Sequence, residues 1–349
     1  MKYRLVNRSF ILLFYSFLVL CYTVTLEASD APEIPRGRPS HNGEPTVVEV
    51  GIWVIDIDSI DSMSQSFEAN VFILLRWSDP RISRIIKGNQ KISLHEVWNP
   101  NVLVANESGR VRKTFPEIVE IDTDGSVTYR QRYIGTFSQS LRLQDFPFDR
   151  HTFAIQLVSQ GYKMDEIKFM PSSKHLEMGI NDAAGIAKNI SLPDWTIVGY
   201  RAIESPYEIT PSLHLPGYEF QFTAERDSGH YVWKVILPLV LIVGMSWIVF
   251  WIHPSSSGTQ ISLAVTSMLT LIAYRFAIDL LVPKVAYMTR LDKFILSSTI
   301  LVFLSLIQAN VTGRLYAKDK INIAEKIDLW CRIFFPVTFI LTILITLVW

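Results

Sequence analysis

Cysteine is nearly missing: Cys21 and Cys331 are the two in 349 residues. Each lies in or beside an apolar run, so the domain between them has no disulfide and must be held by packing and strand pairing. An excess of charge of either sign is missing too. Lys plus Arg and Asp plus Glu number 33 each, a balance that supplies no basic surface for nucleic acid. Catalytic motifs are also wanting, since the seven histidines are scattered and no His-Glu-x-x-His, Gly-x-Ser-x-Gly or glycine-rich phosphate loop occurs. These absences argue against an enzyme, a cofactor or metal, and a nucleic-acid partner.

Elsewhere the scarcity is local. No Asp, Glu, Lys or Arg occurs from Val235 to Ile252, His253 to Tyr274, Phe294 to Gly313 or Ile333 to Trp349. A helix needs roughly 20 residues to cross the hydrocarbon core, so four spans are expected within 229–349, at about 231–252, 260–281, 293–313 and 328–349. Lys2, Arg4 and Arg8 precede the apolar run Phe10–Leu20, with small and polar residues to Ser29. That pattern reads as a secretory signal peptide over 1–29; the alternative, a lipid anchor on Cys21, is disfavoured because Leu20 stands where a small residue is wanted. An exported N-terminal part leaves the links His253–Gln260 and Arg314–Lys326 in the cytoplasm, and the second carries Arg314, Lys318, Lys320 and Lys326, as the positive-inside rule requires. The protein is then multi-pass in the inner (plasma) membrane with lipid as a partner, its N-terminal domain and C-terminus outside.

Residues 30–45, rich in Pro and Gly, read as a flexible lead-in. From 46 to 228 the period is two: Phe67, Ala69, Val71, Ile73, Leu75 and Trp77 alternate with Glu68, Asn70, Phe72, Leu74 and Arg76. Val47–Ile57, Val127–Ile134, Thr152–Val158, Thr196–Ile203 and Tyr218–Ala224 read likewise, and Asp124-Gly125 signals a hairpin. Only Arg81–Trp98 offers room for a short helix. The expected fold is an all-β immunoglobulin-like sandwich followed by an all-α four-helix transmembrane domain.

Leu143-Gln144-Asp145-Phe146-Pro147-Phe148-Asp149 resembles the signature loop of the Cys-loop receptor superfamily, the pentameric ligand-gated channels. Gln139 and Phe153 stand where disulfide-bearing members have cysteines, a loss that resembles the bacterial branch. Trp77-Ser78-Asp79 looks like the family's Trp-x-Asp turn, Trp98-Asn99-Pro100-Asn101 like its first binding loop, and Met268-Leu269-Thr270 through Ala273-Tyr274 and Phe276 is similar to the bacterial amine-gated channels. The resemblance runs from about Val50 to the C-terminus. It implies a homopentamer, a small-molecule agonist bound between neighbouring sandwiches, and a pore for inorganic ions lined by the second span.

Ser262, Thr266, Leu269, Ala273 and Phe276 recur at intervals of four and three, hence on one helix face. The resemblance turns that face to the pore: two hydroxyl rings near the cytoplasm and three apolar rings farther out, with Leu269 as the gate. It also implies cation selectivity, with Asp279 as an outer ring of negative charge. Gly258, Thr259 and Gln260 supply no filter acid, however, and Arg275 stands beside the pore, which leaves an anion-selective or proton-gated channel open, as well as a non-conducting sensor. Further implied are a ligand box of Trp98, Tyr162, Tyr200, Tyr207 and Tyr218 against Phe72, Tyr129 and Arg130, and a coupling cluster of Asp58, Asp61, Asp149, Arg226 and Pro283. Gln160 replaces an aromatic of amine-gated relatives, and Arg130 suits a carboxylate, so an anionic or zwitterionic agonist is open too.

Overall fold

The computed structural model describes residues 34–39, 43–86, 88–172, 182–279 and 282–348; the expected signal peptide lies outside them. Among the described residues the strands are β1 (Thr46–Asp61), β2 (Ser66–Ser78), β3 (Gln90–Ser93), β4 (Val102–Val104), β5 (Arg112–Lys113), β6 (Ile118–Ile121), β7 (Ser126–Ser138), β8 (Arg150–Ser159), β9 (Ile167–Pro171), β10 (Ala184–Ile186), β11 (Trp195–Glu204), β12 (Tyr207–Thr210), β13 (Leu213–Leu215) and β14 (Gly217–Arg226). One sheet runs β10-β1-β2-β7-β6-β3, with β9 on β1 and β5 on β7; a second runs β11-β14-β8-β4, and β12 pairs with β13 in a two-stranded third.

Alternation decides which face of each strand is buried. Phe67, Ala69, Val71, Ile73, Leu75 and Trp77 of β2 are at most 3 % exposed, and burying each large side chain stabilises by roughly 1.5–3 kcal/mol. Phe67 meets Phe137 of its own sheet and Phe153 and Phe222 of the other, with ring centroids 5.1–5.5 Å apart within the cluster. The Asp124-Gly125 turn joins β6 to β7, and Gly125 has φ +82°; a side chain there would strike Asp79 O at 2.7 Å. The Trp-x-Asp turn therefore rests directly on the hairpin turn, and Asp79 N donates to Gly125 O at 2.9 Å.

Two details differ from the sequence reading. The stretch Arg81–Trp98 holds two single 3₁₀ turns, Ile82–Arg84 and Leu94–Glu96, rather than an α-helix. Part of the lead-in is tied down: Arg38 donates to Glu44 O and Glu166 O, each at 3.1 Å, and Arg81 to Gly37 O at 2.6 Å.

Four helices long and apolar enough to cross a membrane follow: α1 (Gly229–Trp251), α2 (Pro254–Ile278), α3 (Arg290–Tyr316) and α4 (Ile321–Leu347). Helix α3 begins three residues before the expected 293 because Thr289 and Asp292 form a capping box that starts it at Arg290. Helix α4 begins seven residues before 328, since Glu325 and Lys326 project from its exposed face while Ala324 and Asp328 turn inward. Pro238 has no N–H to give to the preceding turn, where the helix widens to a π turn over Val232–Ile236. Tyr274 of α2 serves that turn: its hydroxyl donates to Val235 O at 2.8 Å and to Lys234 O at 3.2 Å.

Candidate functional site

Helix α2 has two unlike faces. Gln260, Ala264, Ser267, Leu271 and Ile278 are buried against the other helices. Ser262, Thr266, Leu269, Ala273 and Phe276 are exposed, Leu269 by 61 % and Phe276 by 75 %. At about 100° per residue the two sets lie roughly opposite. A helix packed this way offers neighbouring molecules a stripe that is hydroxyl-bearing at its start and apolar toward its end. Thr266 Oγ1 donates to Ser262 O at 2.8 Å, which turns its lone pairs outward. Asp279 falls about 80° away from the line of Leu269 by the same rotation; it is exposed and lines a cavity with Arg275, Lys284 and Asp292. No salt bridge joins Arg275 and Asp279 among the described residues.

The sandwich meets the helices at the signature loop. Arg226, the last residue of β14, donates to Asp149 through Nε at 2.8 Å and Nη2 at 3.0 Å, and to Ser62 Oγ at 2.7 Å. Its guanidinium lies 4.2 Å from the Trp195 ring centroid and 4.9 Å from that of Phe146. His151 Nε2 is 2.8 Å from Asp149 Oδ2. Burial alone would raise the Asp149 pKa, but the bonds from His151 and Arg226 outweigh it and hold the carboxyl at about 2. The loop also grips α3: Arg290 Nε donates to Asp145 Oδ1 at 2.8 Å, Leu291 N to Phe146 O at 3.2 Å, and the Tyr287 hydroxyl accepts from Leu143 N at 2.8 Å.

Of the expected coupling residues, the structure brings Asp149 and Arg226 into contact, and Pro283 lines a cavity of about 230 Å³ with Arg226, Asp61 and Tyr231. Asp61 instead caps its own turn, accepting from Met63 N at 2.8 Å and Ser64 Oγ at 2.7 Å. Ser62 takes the place at Arg226 that a carboxylate was expected to fill, and Asp58 is exposed on β1. Ser62, His151, Tyr287 and Arg290 were missed by sequence reasoning. Only proximity to the signature motifs could have flagged them.

The aromatic residues of the expected box divide by strand parity. Tyr218, Phe220, Phe222 and Ala224 share the inward face of β14, so Tyr218 is 1 % exposed and its phenol is pushed up to about 12 by burial. Trp98 is also buried: its ring stands edge-on to Trp77 and Tyr162, and Nε1 donates to the Tyr162 hydroxyl at 2.9 Å. Tyr129 is buried with its hydroxyl donated to Glu117 Oε2 at 2.6 Å, and Arg130 is paired with Glu120. Tyr200 is 48 % exposed and stacks on Phe220; Tyr207 and Phe72 are half-buried, and Gln160 is exposed beside Asn101, whose Nδ2 donates to Gln160 O at 3.1 Å.

Two family models match. One described as "Neurotransmitter-gated ion-channel ligand binding domain" covers residues 34–227, and one described as "Neurotransmitter-gated ion-channel transmembrane region" covers 235–320. The chain is similar to a glycine receptor subunit beta of Rattus norvegicus, 29 % identical over 313 residues, which are 84 % of this chain and 60 % of that one. It is similar also to a gamma-aminobutyric acid receptor subunit beta of Lymnaea stagnalis, 23 % identical over 294 residues, 78 % and 57 % of the respective lengths. The chain thus spans less than two thirds of either relative, and neither match singles out the bacterial amine-gated channels. The first model alone covers more than half of the sequence and the second continues into the helices, so the chain belongs to the neurotransmitter-gated ion-channel family.

Proposed function

We propose that five copies of this chain assemble around α2 into a ligand-gated channel whose pore is lined by Ser262, Thr266, Leu269, Ala273 and Phe276. The observation that carries this reading is the exposed stripe opposite the buried face of α2: a helix with Leu269 and Phe276 open on one side needs neighbours or lipid there, and its hydroxyls suit ions rather than lipid. A homopentamer follows from one chain supplying both faces of each contact.

Anions are the better reading of selectivity. The stripe bears no carboxylate, Gly258 and Thr259 at its cytoplasmic start bring none, and Asp279 is rotated off the line beside Arg275. The likeness to receptor subunits named for glycine and gamma-aminobutyric acid sides with this reading over the cation-selective one. The same names favour a small zwitterion as agonist: the exposed ring of Tyr200, with Tyr207 and Phe72, suits an ammonium group, and Arg130 suits a carboxylate if the ligand displaces Glu120. Recording from purified protein in planar bilayers under a potassium chloride gradient, with glycine, gamma-aminobutyric acid and simple amines applied in turn, tests these points. Agonist-dependent current reversing near the chloride potential is expected. Reversal near the potassium potential would restore the cation-selective reading, and absence of current under every agonist would favour a non-conducting sensor.

A further inference from the structure

At the end of the bundle away from the sandwich, four helices meet around polar side chains. Gln260 of α2 is fully buried, Asp328 of α4 is 2 % exposed and Gln308 of α3 is 8 % exposed. Gln260 Nε2 donates to two carbonyls at the end of α1, Ile252 O at 2.7 Å and Val249 O at 3.3 Å. Gln308 Nε2 donates to Asp328 Oδ1, and the Gln260 amide also borders the carboxyl. Those bonds fix both amides by their nitrogens. Three buried oxygens are then left without a donor: Gln260 Oε1, Gln308 Oε1 and Asp328 Oδ2.

Three acceptors without a donor is a shortage of hydrogen. An ionised carboxylate only accepts, so it deepens the shortage and adds a buried charge, and each buried acceptor left unpaired is costly. An un-ionised carboxyl turns Oδ2 into a donor and can satisfy one amide oxygen at the same time. We propose that Asp328 is a buried proton-binding site, occupied as the free acid, whose Oδ2–H donates to a glutamine side-chain oxygen and so ties α4 to its neighbours at the start of the pore helix.

Two basic side chains, Arg332 and His253, stand among the groups around it, and each has another partner. Arg332, one turn along α4, has its Nε committed to Phe250 O at 2.9 Å and its guanidinium 5.7 Å from the Trp251 ring centroid, and among the described residues no salt bridge joins it to Asp328. His253, in the link from α1, sits 3.3 Å from Glu325 Oε1, and Cys331 is another titratable side chain near Asp328 on α4. From α2 and α3 the neighbours are the two neutral amides. Loss of the proton to cytoplasmic water leaves a carboxylate beside Gln260 Oε1 and Gln308 Oε1, and the contact between α4 and the pore helix weakens. Raising the pH therefore loosens the bundle at this end, whether or not the pore conducts.

The test uses the full chain in lipid vesicles, with and without Asp328→Asn, over about pH 5 to 9. Infrared spectra with isotope-labelled aspartate should show a protonated-carboxyl band at neutral pH that is absent from Asp328→Asn. The wild-type melting temperature should fall relative to Asp328→Asn as pH rises, because asparagine keeps a donor and cannot ionise. Absence of a labelled band throughout the range, or a melting difference that stays constant with pH, overturns the proposal. If Asp328→Asn does not fold, Asp328→Glu takes its place: glutamate is unlabelled, so loss of the labelled band in that variant supports the site, and a band that persists overturns it.

Discussion

Asp149 and Asp328 are both buried aspartates, one at the sandwich end of the helix bundle and one at the other, and they are furnished oppositely. Asp149 receives two bonds from Arg226 and shares a third with His151, so its charge is compensated and its pKa lies at about 2. Asp328 receives one bond from Gln308 and keeps an orphan oxygen among orphan amide oxygens. The difference teaches that burial by itself does not fix the state of an acid; the supply of donors does. At the sandwich end the donors come with two rings against the guanidinium, and the result is a bonded joint between β14, the signature loop and Ser62 of the hairpin loop after β1. At the other end one amide, Gln260, is spent on backbone carbonyls and the other, Gln308, reaches one carboxyl oxygen and leaves the second.

The largest effect that can break this comparison comes from Arg226→Ala. Removing the partner leaves Asp149 charged and buried, which costs about 3–5 kcal/mol, and agonist response should be lost or strongly right-shifted with single-channel conductance unchanged. Thermal unfolding and bilayer recording check both halves. Asp328→Asn should cost far less at neutral pH, within about 1 kcal/mol. Equal losses in the two variants would erase the distinction.

Acid sharpens it next. Because the folded pKa of Asp149 is depressed to about 2 from the ordinary 3.8, its contribution is present in full above about 3.8 and is lost as pH falls through about 2, amounting to about 2 kcal/mol. Tryptophan fluorescence, with Trp195 beside Arg226 as reporter, should show the joint loosening over that window. His151→Gln should move the loss to higher pH.

A smaller effect is expected at Tyr274→Phe, which strips the donor from Val235 O and from Lys234 O in the turn before Pro238. A cost of about 1 kcal/mol should appear as a lower melting temperature. Loss of nothing at all would mean that water serves these carbonyls.

The strands were legible because each needs only local alternation, and the junction pair Asp149–Arg226 because both lie in recognisable motifs. The start of α3 was misplaced because apolarity marks a membrane core, whereas Thr289 and Asp292 mark a cap outside it. Tyr274 and Gln260 could not be assigned partners in sequence, since their bonds reach α1 carbonyls from a different helix. Strand parity did carry the burial of Tyr218, but the resemblance pointed to the box and the alternation along β14 to the core. Asp328 stood at the edge of an expected span, where nothing in an apolar count separates an inward acid from an outward one.

The central claim is that the exposed face of α2 lines an ion pathway with Leu269 as its constriction. Leu269→Ser and Met268→Ser, recorded side by side with surface expression checked, test it most directly, because Met268 is packed against the bundle whereas Leu269 is 61 % exposed. If hydroxyls at five Leu269 positions each favour the wetted pore by about 0.3 kcal/mol, the sum of about 1.5 kcal/mol shifts the closed-to-open balance roughly tenfold. Leu269→Ser channels should therefore leak without agonist or open at about a tenth of the agonist concentration, while Met268→Ser channels should gate at the wild-type concentration. Unchanged gating in Leu269→Ser, or the same shift in both variants, would contradict the claim.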